Sequence, residues 1–334
     1  MHRPVLLLIA TGGTIAGAAP SADRTQGYVP GALPVSALID AVPALKGLAE
    51  VIAEQPFSIG SQHMSGAHWL TLLARLRTAI ADDSVAGIVV AHGTDTLEES
   101  ALLADLACPR GTPVVFTGAM RPATALGADG PMNLYAAASV ALDPTARGAG
   151  ALVLMNDQVF TPERAAKSHT SRTDAFVARD GAPLGAIADG RVHWFGPPAD
   201  AAARRPSLAG ALDPLPAHLP RVDLIAQHVD ADPDLVGWLV DRGARGLVVA
   251  GTGHGTMSDV MRSALERAAA GGCVVVRATR LAGGPVWHNA GVDDDATGFV
   301  AAGYLSAHKA RLVVSLALAA GLGRDDIRAL LARY

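Results

Sequence analysis

The sequence predicts a two-domain α/β protein. A large N-terminal domain is built on a doubly wound, mostly parallel sheet with a hairpin, and a smaller C-terminal α/β domain follows. Three observations predict this. The chain has 334 residues, more than one small core needs. Half of its residues are apolar and 17% are charged, which can fill a large interior and is far from a disordered composition. Short apolar runs alternate with amphipathic stretches, and strands covered by helices on both faces read as continuous apolar runs.

Strands are predicted over 5–10, 51–57, 87–91, 113–117 and 151–155, with helices over 35–41, 67–81, 97–107 and 132–142. The pattern changes near Val177. Asp180-Gly181 and Asp189-Gly190 are tight-turn dipeptides between short apolar segments, which predicts an antiparallel hairpin. Pro197-Pro198, Pro206, Pro214, Pro216 and Pro220 mark a linker. The expected division is therefore a domain over 1–195, a linker over 196–220 and a domain over 221–334. In the last, strands are predicted over 222–227, 246–250 and 273–278, and helices over 233–242, 257–269, 307–320 and 325–332. There is no internal repeat of solenoid period.

Composition excludes several function classes. Net charge is −4 and there is no basic run, so no nucleic-acid partner is expected. Cys108 and Cys273 lie far apart without metal-ligand spacing, and each adjoins a strand, so buried free thiols are expected and a metal site is not. Val5 to Ala10 is too short for a signal-peptide core. No run approaches the roughly 18 apolar residues that span a bilayer, so no membrane partner is expected. The chain as given is expected to be cytoplasmic, or periplasmic if a leader has been removed.

Active sites in open α/β sheets lie at the carboxyl ends of the strands, and three chemistry-bearing loops are predicted there. The first is Ala10-Thr11-Gly12-Gly13-Thr14-Ile15-Ala16-Gly17. It fits neither the dinucleotide nor the P-loop glycine pattern. Threonine hydroxyls beside free N–H groups suit acyl chemistry, in which a lost oxyanion donor costs roughly 10²–10³ in rate. A plain structural turn accounts for the glycines equally well. The second loop is His92-Gly93-Thr94-Asp95-Thr96-Leu97-Glu98-Glu99-Ser100. Asp95 or Thr96 would cap the following helix, and Glu98 and Glu99 suit its first turn. Capping leaves Gly93-Thr94 unexplained, and a carboxylate in a crevice can bind an ammonium instead. The third is Thr117-Gly118-Ala119-Met120-Arg121-Pro122, followed by Asp129-Gly130-Pro131-Met132-Asn133. Pro131 suits a helix start, and Arg121 suits a scaffold ion pair or an anion ligand.

Taken together, the stretches ATGGTIAG at 10–17, HGTDTLEES at 92–100, and TGAMRP with DGPMNLY through Tyr135 resemble the bacterial-type L-asparaginase and glutaminase-asparaginase family. The resemblance extends to KARLVVSLAL at 309–318. It implies hydrolysis of the side-chain amide of L-asparagine through a threonine acyl-enzyme, with minor glutaminase activity and no metal or organic cofactor. It also implies a homotetramer built from intimate dimers. By that resemblance Thr14 is the nucleophile and Tyr28 is its partner on a mobile loop. Ser61 and Gln62 hold the substrate α-carboxylate. Thr94, Asp95 and Lys167 form a second triad, Asp95 also binds the α-ammonium, Gly93 is a further substrate-binding residue, and the backbone of Ala119 contacts the scissile amide. A hydroxyl is a weak nucleophile without a nearby proton acceptor, so such company is what the chemistry needs. Lysine occurs only at Lys46, Lys167 and Lys309, which gives a lysine at the matching position weight.

Three departures stand out. Gly291 occupies the place where many members carry a glutamate against the α-ammonium, so Asp293 or Asp294 would have to replace it, or Asp95 acts alone. His254 stands where asparagine or serine is common, and would be either a titrating group or a hydrogen-bonded loop residue. Cys108 has no partner cysteine in 73–84, which suits a reducing compartment. Competing readings are a glutaminase-asparaginase of broader specificity, a subunit acting in amide transfer, and a non-catalytic nucleotide-binding protein. The start close to the first strand weighs against the amide-transfer subunit. The nucleotide-binding reading leaves the second and third loops unexplained.

Overall fold

A computed structural model describes residues 3–334. They form two compact units, Met1–Ser207 and Leu208–Tyr334. In the first, the elements run β1 (Val5–Ala10), α1 (Val35–Asp40), α2 (Leu45–Leu48), β2 (Glu50–Glu54), α3 (Gly66–Ile80), β3 (Val85–Ala91), α4 (Leu97–Ala107), β4 (Val114–Thr117), α5 (Gly130–Ala141), β5 (Ala151–Met155) and β6 (Gln158–Phe160). A separate antiparallel ribbon comes next, β7 (Ala165–Lys167) with β8 (Phe176–Ala178). Then β9 (Gly185–Ala188) and β10 (Arg191–Trp194) rejoin the main sheet, and α6 (Pro198–Arg204) follows.

The main sheet has the order β10-β9-β6-β5-β4-β3-β1-β2. The five strands from β2 to β5 are parallel, and β6, β9 and β10 extend the sheet antiparallel. β4 and β5 are buried end to end, as their unbroken apolar runs require. The chain places β2 on one side of β1 and β3 on the other. The carboxyl ends of β1 and β3 are therefore the switch point where open α/β sheets leave a ligand crevice. The loops 11–17 and 92–96 begin there.

Only half of the expected hairpin forms as read. Asp189-Gly190, with φ of 49° and 71°, makes the two-residue turn between β9 and β10. Asp180-Gly181 instead joins β8 to β9, which belong to different sheets. β6 and β7 hold three residues each, too few to show a period in the sequence.

Residues 196–220, marked by their prolines, include α6, which Pro198 starts. Arg205 beyond it is buried against Asp105 of α4. Its Nε and Nη2 donate to the carboxylate at 2.7 and 2.8 Å, and Nη2 also donates to the Ala149 carbonyl at 2.7 Å.

The second unit runs β11 (Val222–Ala226), α7 (Asp234–Asp241), β12 (Gly246–Gly251), α8 (Asp259–Ala270), β13 (Val274–Thr279), α9 (Asp294–Thr297), β14 (Val300–Ala301), α10 (Ala307–Ala319) and α11 (Arg324–Leu331). Its four strands are parallel in the order β11-β12-β13-β14. Arg277 of β13 is wholly buried and donates to both oxygens of Asp294 at 2.6 and 2.7 Å. Cys108 and Cys273 are buried, and burial pushes their thiols up to about 12 and about 11, which leaves them unreactive. No described helix is long and apolar enough to cross a membrane.

Breaking a buried ion pair from one side strands the other charge. Asp105→Ala is expected to destabilise the N-terminal unit by about 3–5 kcal/mol, read as a lower denaturant midpoint. An unchanged midpoint would show that Arg205 finds another partner.

Candidate active site

Two glycines decide whether the site can form. Gly12 and Gly13 have φ of 101° and 78°, a region side chains rarely enter. A Cβ on Gly12 would stand 2.5 Å from the Ile59 backbone, and one on Gly13 would stand 2.3 Å from Gly93 Cα. The first loop therefore touches two other backbone segments at once. Gly13 N–H donates to the Ile59 carbonyl at 2.9 Å, and Ile59 N–H donates to Thr11 at 3.1 Å. The expected supply of N–H groups in this loop is narrowed to part of it. Those of Thr11 and Gly13 donate to the carbonyls of Ala91 and Ile59 on neighbouring segments, and those of Ala16 and Gly17 donate within the loop's own turn, to Gly13 and Thr14.

These contacts enclose a cavity of about 210 Å³. Gly13, Thr14, Tyr28 and Pro30 line it, together with Gly60, Ser61 and Gln62 and with Gly93, Thr94 and Asp95. Thr14 is buried at the start of a single 3-10 turn, Thr14–Ala16, and its Oγ1 lies 2.6 Å from the Tyr28 hydroxyl. The Tyr28 segment is folded back by paired backbone bonds between Ala18 and Val29, at 3.1 and 3.0 Å. The Tyr28 ring lies against Gly17, where a Cβ would come within 2.9 Å of it.

From the second loop, Thr94 Oγ1 accepts from Lys167 Nζ at 2.9 Å, and Asp95 Oδ1 accepts from the same ammonium at 2.6 Å. Thr94 is buried, and the Asp95 side chain is more than half exposed. Capping is not what these side chains do. Thr96 is the N-cap residue of α4 but makes no side-chain cap bond. Its hydroxyl donates to the Ser61 carbonyl at 3.0 Å, while Ser61 Oγ accepts from Asp95 N–H at 3.1 Å. The loop at 58–63 and the loop at 92–96 are thus stitched together, and tertiary partners outcompete the local cap.

In the third loop, Asp129 accepts from the N–H groups of Met120 and Arg121, both at 2.9 Å. Arg121 fulfils a scaffold role with a carbonyl in place of a carboxylate, since its Nη1 donates to Gly127 at 2.8 Å. Ala119 is fully buried and is not a wall of the cavity.

The remaining candidates lie in the C-terminal unit, whereas all the cavity walls named above belong to the N-terminal unit. His254 is exposed, and its carbonyl accepts from Arg277 at 2.8 Å. Asp293 caps α9 by accepting from Ala296 N–H at 2.9 Å, and Asp294 is committed to Arg277. Gly291 has φ of 79°, and a Cβ there would stand 3.0 Å from Thr256 Cγ2. A glutamate at this position would strain the backbone as well as add a charge.

His92 is wholly buried, and its Nδ1 bonds the Gly93 carbonyl at 2.8 Å. Burial pushes the imidazole down to about 4, with the Gly93 bond opposing. Glu98 stands in the first turn of α4 as expected, but it is buried there, which the local reading does not anticipate.

A cavity at a sheet switch point, holding two hydrogen-bonded threonine hydroxyls, a lysine and a carboxylate, defines an α/β protein equipped for acyl chemistry. The chain belongs to the asparaginase family. Residues 5–200 match the asparaginase N-terminal model, and residues 221–331 match the glutaminase/asparaginase C-terminal domain. L-asparaginase 2 of Escherichia coli is 38% identical over 99% of this chain and 93% of its own length. The glutaminase-asparaginase of Acinetobacter glutaminasificans is 35% identical over 94% of each chain. The crystal structure of a probable cytoplasmic L-asparaginase from Campylobacter jejuni superposes with a TM-score of 0.90 at 33% identity, covering 99% of this chain and 100% of that one.

Two outcomes are expected. Gly13→Ala should abolish the loop contact, so that ligand binding and activity are lost together, as a titration by calorimetry would show. Retained binding would mean that the loops can part without cost. His92 titrates at about 4 in the fold against its ordinary 6.5, so the unfolded chain takes up the proton first as pH falls. Its contribution is complete above about pH 6.5 and is lost toward pH 4, in total about 3 kcal/mol. Denaturant midpoints between these pH values should fall more steeply for the native protein than for His92→Asn.

Proposed function

We propose that this protein is an L-asparaginase that hydrolyses the side-chain amide of L-asparagine to L-aspartate and ammonia, with minor glutaminase activity. The observation that carries the reading is the bond set of Lys167 with Thr94 and Asp95, at 2.9 and 2.6 Å, on the cavity that also holds Thr14 and Tyr28. In this reading Thr14 Oγ1 attacks the amide carbon while Tyr28 hydrogen-bonds that hydroxyl. The C–N bond breaks, and ammonia leaves with the hydroxyl proton. Water positioned by Thr94 and Lys167 then attacks the Thr14 ester, releases aspartate and returns a proton to Thr14. Asp95 binds the α-ammonium, Ser61 and Gln62 bind the α-carboxylate, and the Gly93 backbone borders the amide.

We also propose the cytoplasm as its compartment, supported by the name of the Campylobacter jejuni relative. A homotetramer completes the proposal. Exposed Leu235, Trp238 and Val260 of α7 and α8 offer apolar surface for it, and light scattering at working concentration tests it.

Ammonia release from L-asparagine and L-glutamine tests the reaction. The native protein is expected to release it from asparagine and far more slowly from glutamine. Thr14→Ala should lose the activity, and Lys167→Met should lose about 10²–10⁴ of the rate. No release from either amide would overturn the reading, and full activity of Thr14→Ala would remove Thr14 as nucleophile.

A further inference from the structure

Lys167 reaches the site from an unusual support. It ends β7, a three-residue strand paired only with β8 in a ribbon outside the main sheet. A two-stranded ribbon has little stability of its own. Yet its ammonium is held at 2.9 Å from Thr94 and 2.6 Å from Asp95. Something must fix the ribbon to the frame that carries those two residues.

Glu98 does this from the first turn of α4, immediately after the Thr94-Asp95 loop. It is buried, with 7% of its surface exposed, a costly place for a carboxylate without partners. Its Oε1 accepts from the backbone N–H of Lys167 at 3.4 Å. The half-buried guanidinium of Arg179, which directly follows β8, pairs with Asp180 at 3.5 Å and also feels the Glu98 charge. Arg179 is in turn tied to the start of the ribbon, its N–H donating to the Arg164 carbonyl at 2.8 Å. β7 is thereby bonded to the first turn of α4, and its partner strand β8 is tied to β7 by the ribbon's own pairing. That turn lies one step along the chain from the groups that bind the lysine head.

We infer that Glu98 is a positioning residue for Lys167, an inference that rests on the hydrolase reading above for its effect on rate. Thr94 and Asp95 grip the ammonium while Glu98 grips the backbone beneath it. The lysine is thus held at both ends by one rigid segment. Glu98 is not among the residues that line the cavity, and it acts on the reaction through Lys167.

Two readouts on the full chain test this, one of them independent of catalysis. With three lysines in the sequence, acetic anhydride labelling followed by mass spectrometry gives the reactivity of Lys167 relative to exposed Lys46. Glu98→Ala should raise that ratio severalfold. It should also lower kcat by roughly 10- to 100-fold with KM little changed, at a temperature where the variant is folded. Glu98→Gln, which keeps the acceptor, should restore most of the rate. Glu98→Asp, which keeps the charge but shortens the reach, should lose rate in the same direction as alanine, and it serves where alanine does not fold. A folded Glu98→Ala or Glu98→Asp protein with native labelling ratio overturns the inference, as does a kcat within about twofold of an active native enzyme. If the native protein releases no ammonia, the hydrolase reading fails and the labelling ratio still decides the role of Glu98.

Discussion

The site depends on a backbone contact. Gly13 and Gly93 lie so close that a single Cβ on Gly13 would stand 2.3 Å from its neighbour. The sheet supplies the reason they meet. β1 and β3 are adjacent at the switch point, so the loops leaving them cross the same crevice. Absence of side chains on both loops lets them pass in contact. The hydroxyls that follow each glycine, Thr14 and Thr94, then line one cavity. Any bulkier first loop would have to stand away from the second.

Packing this tight has a chemical cost that the rest of the site answers. The Thr11 and Gly13 amides are used in holding the neighbouring segments together, so those two are not at hand for a developing oxyanion. Side chains on this loop and on the others add polar groups that a substrate can meet. Each threonine accordingly has its own companion, Tyr28 for Thr14 and Lys167 for Thr94. Lys167 is the most distant of these in sequence, 73 residues from Thr94, and is brought in by a ribbon that the main sheet does not contain. A separate support allows a long, flexible side chain to be set without disturbing the core. Two buried ion pairs share one arrangement: Asp105 with Arg205, and Asp294 with Arg277, are each paired at both oxygens.

Much of this was legible because burial and loop chemistry are written locally. The run at 151–155 can only be a strand covered on both faces, and it is one. The helix at 97–107 begins and ends as its pattern requires. What was not legible depends on distant partners. Thr96 has the composition of a cap and the surroundings of a tether, and only the position of Ser61 distinguishes them. Asp180-Gly181 has the form of a hairpin turn, but the strands on either side find different neighbours. The pairing of Asp105 with Arg205 spans 100 residues and leaves no local trace. Tyr28 and Lys167 were reached through family resemblance, since neither stands in a loop whose own pattern announces chemistry.

The central claim is a division of labour between the two threonines, with Thr14 carrying the acyl group and Thr94 serving the water with Lys167. Rapid acid quench of the protein turning over L-asparagine, followed by peptide mass mapping, tests it most directly. The account predicts an added aspartyl group on the peptide containing Thr14, its amount increased when Lys167 is replaced by methionine because deacylation slows. An aspartyl group found on Thr94 instead would contradict it.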